Sequence, residues 1–82
     1  MPNVKSIPGD YFIIEDDGVS ERVSVYFYFT CPDCGIQSNG WFLIDRSEIE
    51  RIKQGGWFEQ SNCEYCHKTI NARYWSNQYR EN

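Results

Sequence analysis

The chain has 82 residues and a formal net charge of −4, and 40% of its residues are hydrophobic and 17% aromatic. This composition is too apolar for a disordered chain, and the acidic balance is opposite to that of most nucleic-acid-binding domains. The length predicts a single domain over residues 1–82. A domain this small buries a modest fraction of its surface, so we expect a metal ion or disulfides to supplement its core.

The N-terminal sequence lacks the apolar stretch of a signal peptide. No apolar run reaches the length that spans a membrane. We therefore expect a cytoplasmic protein without membrane contact. Cysteines stay reduced in that compartment, so paired cysteines favour a metal site over disulfides.

The first part of the chain predicts a β-hairpin. Residues 1–10 contain two prolines, a glycine and little periodicity, so we expect a flexible arm. Residues 11–15 predict a strand, and the Asp-Asp-Gly sequence of residues 16–18 predicts a turn. Residues 21–30 alternate between apolar and polar side chains, as in a half-buried strand. The apolar face of this strand consists of Val23, Val25, Phe27 and Phe29.

The middle of the chain predicts a turn, a strand and one short helix. Residues 36–40 contain three consecutive polar residues and end in glycine, which favours a turn, and residues 41–44 predict a return strand. Residues 47–54 predict a helix of about two turns with Ile49 and Ile52 on one face. Its predicted start is a capping box of Ser47 and Glu50, and its predicted end is at Gly55.

The last part of the chain predicts two further strands. Residues 57–59 are compatible with a short strand, and residues 69–75 alternate in side-chain character again. We expect residues 76–82 to be frayed and flexible. The predicted core around the helix contains Trp41, Phe42, Trp57 and Phe58.

All four cysteines fall into two C-x-x-C pairs, Cys31/Cys34 and Cys63/Cys66. This spacing in a tight turn places two sulfurs within reach of one ion, and structural zinc prefers four tetrahedral ligands such as thiolates. Gly35, directly after the first pair, permits the positive φ that such a turn needs. The two pairs together therefore predict one structural Zn²⁺.

The two pairs, each between predicted strands, resemble the zinc-ribbon superfamily over roughly residues 21–75. The resemblance implies that Cys31, Cys34, Cys63 and Cys66 are the four zinc ligands. It also implies a small metal-bound domain, mostly antiparallel β, to which this chain adds one short helix. Zinc ribbons serve many functions, so the resemblance does not specify a role.

Three other interpretations of the cysteines compete with zinc. They are four reduced core thiols, a redox dithiol, and covalent haem attachment at the Cys63–His67 sequence C-x-x-C-H. The haem interpretation lacks a second axial ligand, because His67 is the only histidine and Met1 the only methionine. His67 itself is interpreted as a surface residue, with direct or indirect contact to the metal as alternatives.

The sequence does not predict an enzyme. Four cysteines fill the zinc shell, whereas catalytic zinc keeps an open position. The paired carboxylates Asp16 and Asp17 precede Gly18, and that sequence is more typical of a turn than of acid–base catalysis.

The predicted role is that of a small acidic adaptor or regulator that binds a larger protein, including one in a nucleic-acid-processing complex. Tyr26 and Tyr28 lie on the polar face of their strand, and tyrosine is frequent at the centre of protein interfaces. The alternative is binding of single-stranded nucleic acid through an aromatic and basic face. That face contains Lys68, Arg73 and Trp75, with Arg80 nearby.

Overall fold

The computed structural model describes residues 6–81, which form two three-stranded sheets. Strands β1 (Ser6–Pro8), β6 (Thr69–Trp75) and β5 (Gly55–Asn62) form the first sheet, in that spatial order. Strands β2 (Tyr11–Glu15), β3 (Arg22–Thr30) and β4 (Gln37–Asp45) form the second sheet. A 3-10 turn (Arg46–Glu48) and helix α1 (Ile49–Lys53) connect β4 to β5, and a second 3-10 turn (Ser76–Gln78) follows β6. The predicted class, mostly antiparallel β with one short helix, is confirmed.

The alternation in β3 predicts its buried face correctly. Val23, Val25, Phe27 and Phe29 are all buried, and the residues between them face outward. β2 pairs with β3 in antiparallel register as the predicted hairpin. Strand β6 coincides with the predicted residues 69–75, and its inward residues are Ile70, Ala72 and Tyr74.

Aromatic side chains between the sheets form much of the core. Phe27 of the second sheet packs edge-on against Trp57 and Tyr74 of the first, with ring centroids 6.4 and 5.8 Å apart. The Tyr74 hydroxyl donates a 2.8 Å hydrogen bond to the carbonyl of Tyr28, and burial raises the pKa of Tyr74. The buried phenol is therefore satisfied, and its bond joins the two sheets directly.

The structure corrects the prediction for residues 36–40. Gln37–Gly40 belong to β4, and their pairing with β3 begins at Thr30 opposite Gln37. The first cysteine turn alone reverses the chain, so no further turn is needed. The predicted strand of residues 57–59 is likewise only part of β5, which extends over Gly55–Asn62.

The predicted capping box is also wrong. The helical segment begins as a 3-10 turn, and neither that turn nor α1 has a side-chain cap. The Arg46 N–H donates to the carbonyl of Glu21, so the strand ladder extends to Arg46. The Trp57 indole N–H donates to the carbonyl of Ile52 at 3.1 Å, so packing against β5 stabilises the end of this short helix.

Both chain ends are more structured than predicted. Ser6–Pro8 pair in parallel with β6, and the Arg80 N–H donates to the carbonyl of Phe12 at 2.9 Å. Tyr79 packs on Phe12 with ring centroids 5.5 Å apart. Residues 6–10 and 76–80 are therefore docked on the sheets instead of forming a loose arm and a frayed end. Positions 1–5 and 82 of the predicted segments lie outside the described residues.

The four aromatic residues expected around the helix divide into two groups. Phe42 and Trp57 are half-buried and pack against the core. Trp41 and Phe58 are instead 60% and 55% exposed, because each lies on the outer face of its sheet. In the described part of the chain, no helix is long and apolar enough to cross a bilayer.

Candidate metal centre

The four cysteines converge from two hairpins of the same design. β3 ends at Thr30 and leads directly into the first knuckle, which we define as residues 31–36. β5 ends at Asn62 and leads into the second knuckle, residues 63–68. β4 and β6 begin directly after the knuckles, so each hairpin carries two sulfurs at its tip.

Matching backbone hydrogen bonds shape the two knuckles. In the first, Gly35 N–H donates to Cys31 O at 2.8 Å, and in the second His67 N–H donates to Cys63 O at 2.9 Å. Both donor residues have positive φ, 72° for Gly35 and 63° for His67. This conformation directs the chain back into the strand ladder after two cysteines have been presented on one side.

The sulfur positions fit a single tetrahedral ion. Cys31 Sγ lies 3.6 Å from Cys66 Sγ, Cys34 Sγ lies 3.4 Å from Cys63 Sγ, and all four sulfurs lie within 4.8 Å of one another. A regular tetrahedron of Zn–S bonds has edges of roughly 3.8 Å. The cysteines are free thiols, and Cys31 and Cys63 are fully buried. These four residues are therefore positioned to hold one metal ion.

The backbone around the sulfurs favours a thiolate at one position. The N–H groups of Cys66 and Tyr65, together with the neighbouring thiols, lower the pKa of Cys63 to about 6. The Ile36 N–H favours the thiolate of Cys34, but desolvation and the neighbouring thiols outweigh it and raise the pKa of Cys34 to about 12. The surroundings therefore favour the thiolate form at Cys63 and disfavour it at Cys34.

Two contacts besides the cysteine sulfurs join the β3–β4 hairpin to the second knuckle. The buried Ser38 hydroxyl accepts a 3.3 Å hydrogen bond from the Glu64 N–H and lies 4.0 Å from Cys63 Sγ. The Lys68 ammonium forms an ion pair with the Asp33 carboxylate. Ser38 was not identified from the sequence, because it lies within the segment predicted as a turn.

The surroundings of the site bear on the competing interpretations. Both C-x-x-C pairs lie between strands, whereas a thioredoxin-like dithiol sits at the start of a helix. His67 is exposed, and the cluster of candidate ligands consists of the four cysteine sulfurs. This geometry favours a closed four-sulfur site.

The predicted binding residues lie on different surfaces. Tyr26 and Tyr28 are on the outer face of the β2–β3–β4 sheet. Arg73 and Trp75 are on the outer face of the β1–β6–β5 sheet, and Lys68 lies in the second knuckle. The structure therefore keeps each predicted pair together but separates the pairs from each other.

One apolar surface was missed from the sequence. Trp41 and Leu43 on β4 are 60% and 51% exposed, and Trp41 lies directly opposite Tyr26. Ile13 on β2 lies opposite Tyr26 on its other side. The sequence did contain a signal for this surface. In a strand over residues 41–44, side chains alternate between faces, so packing of Phe42 and Ile44 on the core places Trp41 and Leu43 outward.

Comparison with known protein families, curated proteins and solved structures finds no match to this chain. The fold and site define a small, mostly antiparallel β protein with a four-cysteine cluster that is compatible with metal binding. That cluster is also compatible with a site of the zinc-ribbon type.

Proposed function

We propose that this chain is a protein-binding adaptor or regulator whose fold depends on one structural Zn²⁺. The single observation that supports the zinc is the convergence of four cysteine sulfurs within 4.8 Å of one another. The proposal for a partner is supported by the exposed apolar face of the β2–β3–β4 sheet. The two parts have separate tests.

The donor set favours zinc in a structural role. Four thiolates in a tetrahedral arrangement suit Zn²⁺ or an iron–sulfur centre better than hard cations, which prefer oxygen. A shell of four protein ligands leaves no position for water or substrate, so we expect no catalysis at the metal. Cys31, Cys34, Cys63 and Cys66 would hold the ion, which supplies a cross-link between the two sheets.

Native mass spectrometry of the purified protein tests the metal. We expect one zinc per chain, lost on chelation together with the native circular dichroism spectrum, because the site scarcely exists in the unfolded chain. A metal-free mass reduced by two hydrogens per cysteine pair would indicate disulfides and would contradict the zinc proposal.

The partner-binding surface, which we call the outer patch, consists of side chains that share the outer face of β2, β3 and β4. Its members are Tyr11, Ile13, Tyr26, Tyr28, Trp41 and Leu43. Tyr11 and Tyr28 stack with ring centroids 4.5 Å apart. Rigid stacked aromatics lose little side-chain entropy on binding, which is why tyrosine and tryptophan are frequent in protein interfaces.

The charge around the outer patch favours a protein over a nucleic acid. Residues 10–45, which build this sheet and its turns, contain seven acidic residues and one basic residue, a balance of −6. Residues 46–81 contain six basic and five acidic residues, a balance of +1. A phosphate backbone is repelled by the first region, whereas a basic protein surface is attracted.

An affinity capture from extracts of the native host, with nuclease treatment, tests the partner. We expect the double substitution Tyr26→Ser and Trp41→Ser to abolish capture of a protein that the unaltered chain retains. The matched control is Phe58→Ser with Trp75→Ser on the opposite sheet, which we expect to retain it. Capture that survives the first pair of substitutions would contradict binding through the outer patch.

The opposite sheet supports a second candidate function. The Arg73 guanidinium lies 5.7 Å from the ring centroid of Phe58, and Trp75 on the same face is 45% exposed. An arginine beside exposed aromatic rings is an arrangement that stacks single-stranded bases. Anisotropy titration with labelled oligonucleotides at two salt concentrations tests this candidate, because phosphate contacts give a steep loss of affinity with salt.

A further inference from the structure

Strand β4 has a free edge. It pairs only with β3 among the residues that the structure describes. Hydrogen bonds from Cys31 N–H to Ile36 O and from Arg46 N–H to Glu21 O bracket the hairpin, so the even-numbered residues of β4 bond to β3. The backbone N–H and C=O groups that point to the free edge belong to the alternate residues Asn39, Trp41 and Leu43.

Two residues present both backbone and side chain to a partner. Trp41 and Leu43 direct their backbone groups to the free edge, and their side chains are more than half exposed on the outer patch beside it. An added strand would therefore continue the ladder and pack its own outward side chains against these two. The edge and the patch form one continuous surface.

The free edge of β5, the strand that follows helix α1, is protected. β5 carries a register irregularity between Gly55 and Trp57, and its Glu59 lies opposite the buried Ala72 on the inner face. Partial burial raises the pKa of Glu59. Bulges and inward-pointing charges are devices that prevent edge strands from pairing. β4 has neither within Gln37–Ile44, so the two edges differ in their readiness to accept a strand.

Charge selects the occupant of the β4 edge. Residues 10–45 carry a balance of −6, and the region keeps −4 when Arg46 and Lys68, which pair with its Asp16 and Asp33 carboxylates, are counted. Pairing of two copies through β4 would therefore bring two acidic regions together. A segment of another protein that contains lysine or arginine as well as apolar residues is attracted to this acidic region. The charge distribution therefore favours a basic partner over a second copy.

We propose that an extended, basic segment of another protein adds to β4 as a fourth strand of the β2–β3–β4 sheet. This inference rests on the proposed protein-binding function and specifies its mode: backbone hydrogen bonds to the β4 edge, with alternate apolar side chains of the segment on Trp41 and Leu43.

Selection of a displayed library of random dodecapeptides on the zinc-loaded protein tests this mode. We expect the selected peptides to alternate apolar and other residues and to carry net positive charge. Leu43→Pro removes one N–H at the free edge and leaves the ladder to β3 intact, since edge strands tolerate proline at such positions. We expect it to weaken the selected peptides at least about tenfold relative to Leu43→Ala, which loses the same side chain but keeps the N–H.

The matched control is Gln60→Pro, which removes an outward N–H from the protected β5 edge, and we expect it to change affinity less than about twofold. Melting curves establish that both variants fold. A second test leaves the protein unaltered and methylates the peptide backbone nitrogens one at a time. Because only alternate N–H groups of an added strand face β4, we expect methylation to weaken binding only at every second position.

Three results would overturn the inference. They are a library that yields no peptide sensitive to Leu43→Pro, N-methyl effects without alternation, and a zinc-loaded protein that is dimeric through β4 in light scattering and amide exchange. If host-partner capture is lost with the Tyr26/Trp41 substitutions but retained with Leu43→Pro, strand addition is wrong and the protein-binding function stands. If the Tyr26/Trp41 substitutions have no effect on capture, the proposed function itself fails.

Discussion

The β3–β4 and β5–β6 hairpins correspond position by position. Thr30 pairs with Gln37 in the first and Asn62 with Thr69 in the second, and residues 25–42 match residues 57–74, up to the register irregularity between Gly55 and Trp57. The knuckle hydrogen bonds match as well. The hairpins thus share a backbone frame, and comparing their side chains separates what this frame requires from what each sheet adds.

The side chains at matching positions differ in kind. Phe27 and Gly40 of the first hairpin correspond to Glu59 and Ala72 of the second, and Ser38 corresponds to Ile70. Only the cysteines are the same in both knuckles, and glycine at position 35 corresponds to His67. The frame therefore requires four sulfurs and two positive φ angles, whereas the inner positions are adapted to the packing of each sheet.

The largest expected effect comes from removing one sulfur. We expect Cys34→Ser and Cys63→Ser each to unfold the protein at 25 °C, although they lie in different knuckles, because both hairpins share one cluster. Structural zinc sites contribute about 10 kcal/mol or more, which is comparable to the whole stability of a small domain. Far-UV circular dichroism and zinc stoichiometry measure the effect.

Pro32→Ala, an exposed substitution within the first knuckle, is the matched control, and we expect a native spectrum and one zinc per chain. A cysteine variant that keeps the native melting temperature would show that its hairpin folds without the shared ion. The comparison would then divide the protein into a metal-dependent and a metal-independent hairpin.

The sequence predicted the parts of the hairpins that local patterns determine. Strict alternation placed residues 69–75 and the buried face of β3 correctly, because a period of two is readable from one strand. The convergence of four cysteines was expected from their two C-x-x-C pairs and from the zinc-ribbon resemblance, and the sulfur distances confirm that they cluster. The identity of the ion and the binding residues remain predictions.

Long-range contacts account for what was missed. Gln37–Gly40 have turn-like composition, and the pairing of β4 with β3, which extends over nine residue pairs, overrides it. Ser6–Pro8 form a strand only because β6, more than sixty residues later, offers a partner. Arg46, bonded to Asp16 and to the carbonyl of Ser20, fixes the exit of β4 where a local capping box was expected.

Substitutions at Gly40 and Ala72, which occupy matching positions, have the next largest expected effect on stability. A Cβ at Gly40 would lie 2.4 Å from the tip of the Phe27 ring. Phe27 is 2% exposed and enclosed by other aromatic rings, so it has little room to move. We expect Gly40→Ala to destabilise the protein by about 1–3 kcal/mol in urea denaturation.

The neighbouring Asn39→Ala, on the exposed face of β4, serves as the control, and we expect a change within about 0.5 kcal/mol. In the second hairpin, where Ala72 is opposite Glu59, we expect Ala72→Gly to cost about 1 kcal/mol through backbone entropy and lost packing. Equal stability of Gly40→Ala and the parent would mean that the aromatic core repacks freely.

Substitution of Ser38, which corresponds to Ile70 in the second hairpin, has a smaller expected effect on stability and also tests the metal site. Ser38→Ala removes the acceptor of the Glu64 N–H, and we expect a loss of about 1 kcal/mol in stability. Because this contact orients the second knuckle, we also expect zinc affinity to fall about tenfold in competition with a chelator. Ser24→Ala, on the outer face of the same sheet, is the control, and zinc affinity equal in both variants would contradict a role for Ser38 at the metal.

Substitutions at Gly35 and His67 test the shared frame most directly, and His67→Gly has the smallest expected effect. Both residues hold positive φ, and a Cβ at Gly35 would meet no atom within 4 Å, so Gly35→Ala isolates backbone strain of about 1–2 kcal/mol. His67 already carries that strain. We expect His67→Gly to relieve it against an entropy cost of about 0.4–1 kcal/mol, for a net gain of about 0.5 kcal/mol in denaturant melts.

His67→Ala separates strain from the imidazole, since alanine keeps the Cβ and removes only the ring. We expect no gain from it and unchanged zinc affinity in both variants, because the cluster of candidate ligands is formed by the four sulfurs. Equal melting temperatures for His67→Gly and His67→Ala would attribute any gain to loss of the ring. A lower zinc affinity in both would make the imidazole part of the metal centre, and the knuckles would then differ in function as well as in sequence.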